Sequence, residues 1–191
     1  MESVIQNAYQ RKKQPDLVRQ RILDGAMQLS AEKGVASVSI QAVAAFAGVT
    51  KGGVFHHFAN KQILIETMLH EVLHKFDQEI DRFIEQDTVQ YGCFTRAYIE
   101  VTLTHQSFGV SSLWATLSMT LVSDQTFSLL WNRWLADRLK QHQDTDADLN
   151  LRILRYAADG AWFIERFDPG NVQDLMVLKQ ELIQRSYPTI T

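Results

Sequence analysis

Residues 49–61 read VTKGGVFHHFANK, and no other segment restricts the possible folds as strongly. Two adjacent glycines weaken a helix by about 2 kcal/mol relative to alanine, so any helix here must be short and secured at its ends. Thr50 offers a hydroxyl to cap its first turn, and Asn60 offers the same service to the helix after it. Just upstream, Gly48 supplies the backbone freedom for a tight turn. The helix thus carries Lys51, Gly52 and Gly53 at its start and the aromatic run Phe55-His56-His57-Phe58 at its end. A short helix after a tight turn, polar and nearly bare at its N-terminal end, suits close approach of base edges and phosphates to backbone. That is how a helix-turn-helix meets DNA.

The residues upstream complete a three-helix unit. Pro15-Asp16 is expected to open a first helix whose apolar positions Leu17, Val18, Ile22, Ala26 and Leu29 keep helical spacing until Gly34 stops it. Ser39 caps a second helix, Ile40 to Phe46, in which Val43, Ala44 and Ala47 leave room for a crossing helix. Charge is divided in the same way. Residues 1–61 hold eight Lys/Arg against four Asp/Glu, and the remainder holds eleven against eighteen, so a +4 segment precedes a −7 body. That polarity fits a part that touches phosphate and a part that does not.

RILDGAMQLSAEKG (21–34), VSIQAVAAFAG (38–48) and VTKGGVFHHFANK (49–61) are similar, in order and spacing, to the DNA-binding domain of TetR/AcrR-family transcriptional regulators. The resemblance implies an all-α protein of about nine helices. A three-helix DNA-binding domain over 16–61 follows a flexible basic arm over 1–15, and a larger helical ligand-binding and dimerisation domain occupies 62–191. It also implies roles. Lys51 reaches a base edge or a nearby phosphate, and Gly52 lets the backbone approach the groove. Thr50, His56, His57 and Lys61 bind phosphate, and Ser39 and Gln41 belong to the DNA-facing end of the second helix. Two positions depart from the family pattern. Gly53 stands where a small side chain is usual, which shifts sequence reading toward Lys51, His56 and the shape of the DNA. Phe55 replaces a tyrosine, so a phenolic phosphate contact is absent.

Beyond residue 61 only three prolines and nine glycines in the whole chain leave long stretches without turn signals. Asn60 should cap a helix to about Asp87, with helices following at about 89–106, 110–122, 125–142, 147–167 and 171–186. The Asp/Gln-rich stretch 141–148 reads as a polar break. All four tryptophans lie in this part, and Phe108, Trp114, Met119, Phe127, Trp131, Trp134 and Trp162 offer apolar bulk for an apolar or aromatic effector, with Glu165 as a charged partner. By the resemblance, such a molecule releases the DNA. Ala157, Gly160 and Ala161, followed by Leu175, Met176, Leu182 and Ile183, form the expected dimer face, in a four-helix interface between two copies.

Other classes fare worse. Glu66, His70 and His74 have metal-ligand spacing but read as a solvated helix face, so neither a metal nor another cofactor is expected. No GxSxG elbow, Walker loop, dinucleotide fingerprint or zinc signature suggests an enzyme. One cysteine, Cys93, allows no internal disulfide, and no apolar run approaches the roughly 18 residues of a membrane span, so a cytoplasmic location is the expectation. The reading is a homodimeric repressor of a palindromic double-stranded operator. The competing reading is a helical small-molecule-binding protein, or an activator, with weak or no operator binding.

Overall fold

The computed structural model describes the backbone of residues 2–104, 125–167 and 172–188, with side chains over 15–104, at 125, over 127–164 and over 173–188. Among these residues the secondary structure is entirely helical. Helices α1 (Glu2–Lys33), α2 (Ile40–Ala47), α3 (Lys51–His57), α4 (Lys61–Gln86) and α5 (Cys93–Leu103) are followed by α6 (Gln125–Gln141), α7 (Gln143–Asp146), α8 (Leu149–Phe167) and α9 (Val172–Arg185). The expected all-α class is therefore found. The helix expected over 110–122 lies outside the described residues.

Two stretches differ from expectation. α1 begins at Glu2, so the stretch read as a flexible arm is helical, and Pro15 lies inside the helix. Proline removes one intrahelical donor and keeps a helical φ, and the helix continues across the missing bond. The stretch 141–148 does separate α6 from α8, but it contains the short α7, and Asp146 within it is 1% exposed.

The described residues form two compact units. One comprises residues up to Val72 with 125–128, and the other comprises Leu73 to 104 with Leu129 onward. The division falls inside α4, beyond residue 61, because Leu64, Ile65, Met68, Leu69 and Val72 are buried members of the first unit.

In the first unit α1 packs on α2 and α3, and α2 packs on α3. Ile22, Leu23, Ala26 and Met27 of α1 are buried, as are Val43, Ala44 and Ala47 of α2, in the i, i+3, i+4 pattern that lays one helix stripe against a core. Gly25 makes the α1–α2 crossing possible, since a Cβ there would stand 2.6 Å from Phe46 Cδ1.

In the second unit α5 is central, packing on α7, α8 and α9. Its apolar core joins Ile99 and Leu103 to Leu151, Leu154 and Ala158 of α8 and to Leu175 and Leu182 of α9. A buried polar group sits beside this core. Asp146 accepts from Thr95 N at 2.8 Å, Phe94 N at 3.3 Å and Thr95 Oγ1 at 2.5 Å, so it caps α5 from a distant part of the chain. The residue preceding α5, Gly92, has no side chain to do so. Gly92 is itself required: its φ is +75°, and a Cβ would lie 2.5 Å from the Ser186 carbonyl oxygen. Arg96 fixes the same region, donating to Asp87 Oδ2 at 2.6 Å and to the Ser186 carbonyl at 3.0 Å.

Candidate nucleic-acid interface

α3 is held by its ends and by one buried stripe. Thr50 Oγ1 accepts from Gly53 N at 3.0 Å, and Gly48, in the left-handed conformation at φ 66° and ψ 35°, closes α2 ahead of it. Val54 and Phe58 bury their side chains completely, and the Arg19 guanidinium lies 5.1 Å from the Phe58 ring centroid. Asn60 Oδ1 accepts from Ile63 N at 2.9 Å and so starts α4. These caps are the ones the sequence indicates.

Whatever is not needed to hold α3 is left on the surface. Lys51, Gly52 and His56 are exposed, Gly53 and His57 are half-buried, and Ser39, Gln41, Thr50 and Lys61 are exposed. All nine residues expected to face DNA therefore belong to the surface of the first unit. Ser39 Oγ and Thr50 Oγ1 accept their cap bonds from Ala42 N and Gly53 N, which leaves each hydroxyl proton free to donate to a phosphate oxygen. His56 and His57 meet edge to face, with ring centroids 5.3 Å apart. Together with Pro15, Leu17, Val18 and Arg21 they line a groove of about 600 Å³. Arg21 is a cation the sequence reading left out of the DNA-facing set. Its place in the quoted motif was visible, but its nearness to the two histidines required the fold.

Of the glycine pair, Gly52 has no explanation inside the protein, while Gly53 sits close against Val49. Among the described residues positive φ occurs only at Gly34, Gly48 and Gly92, so neither Gly52 nor Gly53 is needed for its backbone conformation. A Cβ on Gly52 would meet only Thr50 Oγ1, at an ordinary 3.7 Å, and one on Gly53 would meet Val49 Cβ at 3.3 Å.

Of the residues expected to line an effector cavity, Phe108, Trp114 and Met119 lie outside the described residues, as does the side chain of Glu165. Trp131 and Trp134 do come together, 4.8 Å between ring centroids, and Phe76 joins them at 5.7 and 5.4 Å. Tyr98 completes the group, 6.4 Å from Trp131. Phe127 is buried but belongs to the first unit, and Trp162 packs against the α5–α8–α9 core instead. Sequence reasoning missed Phe76 and Tyr98, both of which are buried. Polar atoms hold this ring group in place: Trp134 Nε1 donates to Asp77, Arg138 Nε donates to Asp77 Oδ1 at 2.6 Å, and the Tyr98 hydroxyl donates to Asp159 at 2.6 Å. Burial pushes the Tyr98 phenol well above its usual range, so it remains a donor.

The expected dimer residues divide into two sets. Leu175 and Leu182 are buried within one copy, and Ala157, Ala161 and Ile183 pack against the same core. Gly160 is exposed, and with Ile153, Tyr156, Phe163 and Ile164 it lies on an apolar stripe at helical spacing along α8; Met176 and Val177 of α9 are exposed as well. A Cβ on Gly160 would meet no atom within 4 Å. On α4, Glu66 accepts from Gln62 Nε2 at 3.1 Å, while His70 and His74 are exposed. No helix among the described residues is long and apolar enough to cross a membrane.

Known proteins share this arrangement. Residues 22–68 match the family model described as bacterial regulatory proteins, tetR family, and residues 92–186 match the one described as tetracyclin repressor-like, C-terminal domain. The transcriptional repressor KstR2 of Rhodococcus jostii is 26% identical over 167 residues, covering 80% of each chain. The regulator UidR of Escherichia coli is 30% identical over 97 residues, 50% of this chain and 47% of that protein. Among solved structures, SCO7518 of Streptomyces coelicolor superposes with a TM-score of 0.69 at 18% identity, over 90% of this chain and 99% of that one. The multidrug binding protein EbrR in complex with malachite green does so with a TM-score of 0.68 at 21% identity, over 90% and 98%. The helix-turn-helix unit and the helical body each match a part of the same kind of regulator, and the chain belongs to the TetR family of bacterial transcriptional regulators.

Proposed function

We propose that the protein is a homodimeric repressor that sets α3 of each copy in the major groove of a palindromic operator and leaves it when a small apolar or aromatic molecule binds the second unit. The observation that carries this reading is Gly52-Gly53. Two glycines lower the helix propensity of a seven-residue helix, yet at exposed Gly52 a Cβ would meet only Thr50 Oγ1 at an ordinary 3.7 Å, so no contact within the protein requires a glycine there. Close approach of a partner's backbone or phosphate accounts for that glycine, and Lys51, Thr50, His56 and Lys61 around it supply donors and charge.

The stripe on α8 supports the dimer for the same reason. Gly160 is a glycine in a helix interior with open space before it, set among exposed apolar side chains. A second copy brought up by two-fold symmetry would cover them and place the recognition helices about 34–36 Å apart, one helical turn of DNA. The ring group of Phe76, Tyr98, Trp131 and Trp134 supports an aromatic effector, and the malachite green held by EbrR is a precedent in a related fold. Release follows from a population shift, in which effector binds the DNA-free form more tightly by about 1–3 kcal/mol.

Selection from random duplex DNA across a salt series tests the reading. A palindrome should enrich, with affinity falling steeply as salt rises. No enrichment and weak binding at low salt would leave the operator reading without support. Gly52→Ala adds a sharper test, because its two effects have opposite signs. The helix should gain about 0.5–1 kcal/mol of stability, while operator affinity falls about tenfold, the equivalent of 1.4 kcal/mol. A stabilised variant that binds as tightly as the parent would show that the backbone does not approach DNA there.

A further inference from the structure

We propose that Cys93, His142 and Asp146 form a zinc site at the start of α5. No spacing in the sequence signals it, and it stands apart from the operator-binding reading. The three side chains come from two distant stretches, yet one ligand atom from each lies within 4.8 Å of the others. They are the only such cluster among the described residues.

The geometry is near that of an occupied site. Around tetrahedral zinc, with bonds of about 2.0–2.3 Å, ligand atoms stand roughly 3.3–3.7 Å apart. Cys93 Sγ is 4.0 Å from His142 Nδ1, so small rotamer adjustments would bring the three atoms onto a common centre. Thiolate, imidazole and carboxylate together suit zinc better than magnesium or calcium, which take oxygen ligands.

The surroundings orient each ligand. The His142 ring stacks on Phe94, with centroids 5.3 Å apart and planes 12° from parallel. Its Nε2 is buried with no hydrogen-bond partner among the described residues, so no other group commits the imidazole to a tautomer. Thr95 and Arg155 hold Asp146 from behind through Oδ1, with the Arg155 guanidinium at 3.7 Å. On the other oxygen, Thr145 Oγ1 donates to Asp146 Oδ2 at 2.8 Å and has the His142 carbonyl as a second acceptor at 3.3 Å. Turning that hydroxyl to the carbonyl clears a lone pair on Oδ2 for the metal and leaves the α5 cap on Thr95 N intact. Binding exchanges the Sγ proton for zinc and releases it to solvent. Three protein ligands leave a fourth position for water. Zinc would tie α7 to the first turn of α5.

Zinc is titrated into the metal-free full-length chain, without an affinity tag, in competition with a chromogenic chelator, and cobalt serves as a spectroscopic probe. One metal per chain is expected, with a thiolate-to-cobalt charge-transfer band. Cys93→Ala and His142→Ala should each weaken zinc by on the order of 100-fold. Cys93→Ser, nearly isosteric, should lose the charge-transfer band even if the alanine variant folds poorly. The double change Glu66→Gln with His70→Gln should alter nothing. Failure of the parent chain to take up one equivalent of zinc at micromolar concentration overturns the proposal. So does zinc retained by folded Cys93 variants, or zinc lost only from the Glu66/His70 variant.

Discussion

Asp146→Ala should destabilise the second unit by about 3–5 kcal/mol, the cost of removing one partner from a buried ion pair. Asp146 is 1% exposed and satisfies the first N–H groups of α5, the Thr95 hydroxyl and the Thr145 hydroxyl. Its removal leaves Arg155, 6% exposed, without its buried carboxylate, and α5 without a cap at an end where Gly92 offers none. Since α5 packs on α7, α8 and α9, the loss is felt by the whole unit. Chemical denaturation followed by tryptophan fluorescence measures it, because Trp131, Trp134 and Trp162 all report from that unit. Asp146→Asn, which keeps an acceptor but not the charge, should fall between. A loss below about 1 kcal/mol would mean that the residue behaves as an ordinary surface polar group.

Ile164→Glu should convert the protein to a monomer and lower operator affinity by at least about 100-fold, the avidity lost when two linked half-site contacts become independent. Ile164 is 67% exposed on the apolar stripe of α8, near the open space at Gly160. Two-fold symmetry brings a stripe against its own copy, so each carboxylate would be desolvated against apolar surface, twice per dimer. Ala161 is the poorer target, since it packs against the core of its own copy and a charge there would damage the fold as well. Sedimentation and operator titration separate the outcomes. A monomer with a normal melting transition and weak binding supports the face, and a tight dimer that still holds operator locates the interface elsewhere.

The local architecture was legible because its causes are local. Ser39, Thr50 and Asn60 cap their helices across three residues, Gly48 adopts its left-handed turn from its own lack of a Cβ, and Val54 and Phe58 follow the spacing that buries one side of α3. Each of these is decided by neighbours in the chain, and the family resemblance rests on the same stretch. The start of α1 was misjudged for a related reason: proline penalises one hydrogen bond, and the turns on both sides outweigh it.

What sequence periodicity could not decide is which of two apolar faces meets the chain's own core. Leu175 and Leu182 turn inward, while Ile164 and Met176 stay outside. Nor could it show that the polar stretch 141–148 supplies a buried cap to a helix 51 residues away, or that Cys93 lies against His142 across 49 residues. The amino-acid sequence by itself determined the caps of α2, α3 and α4 and the short, glycine-bearing build of α3, because hydrogen bonds within a turn and the 3.6-residue period act over a few positions. Only the tertiary structure decided the buried Asp146–Arg155 pair, the Cys93–His142–Asp146 cluster and the exposed face of α8, because these depend on distances between segments that no local pattern encodes.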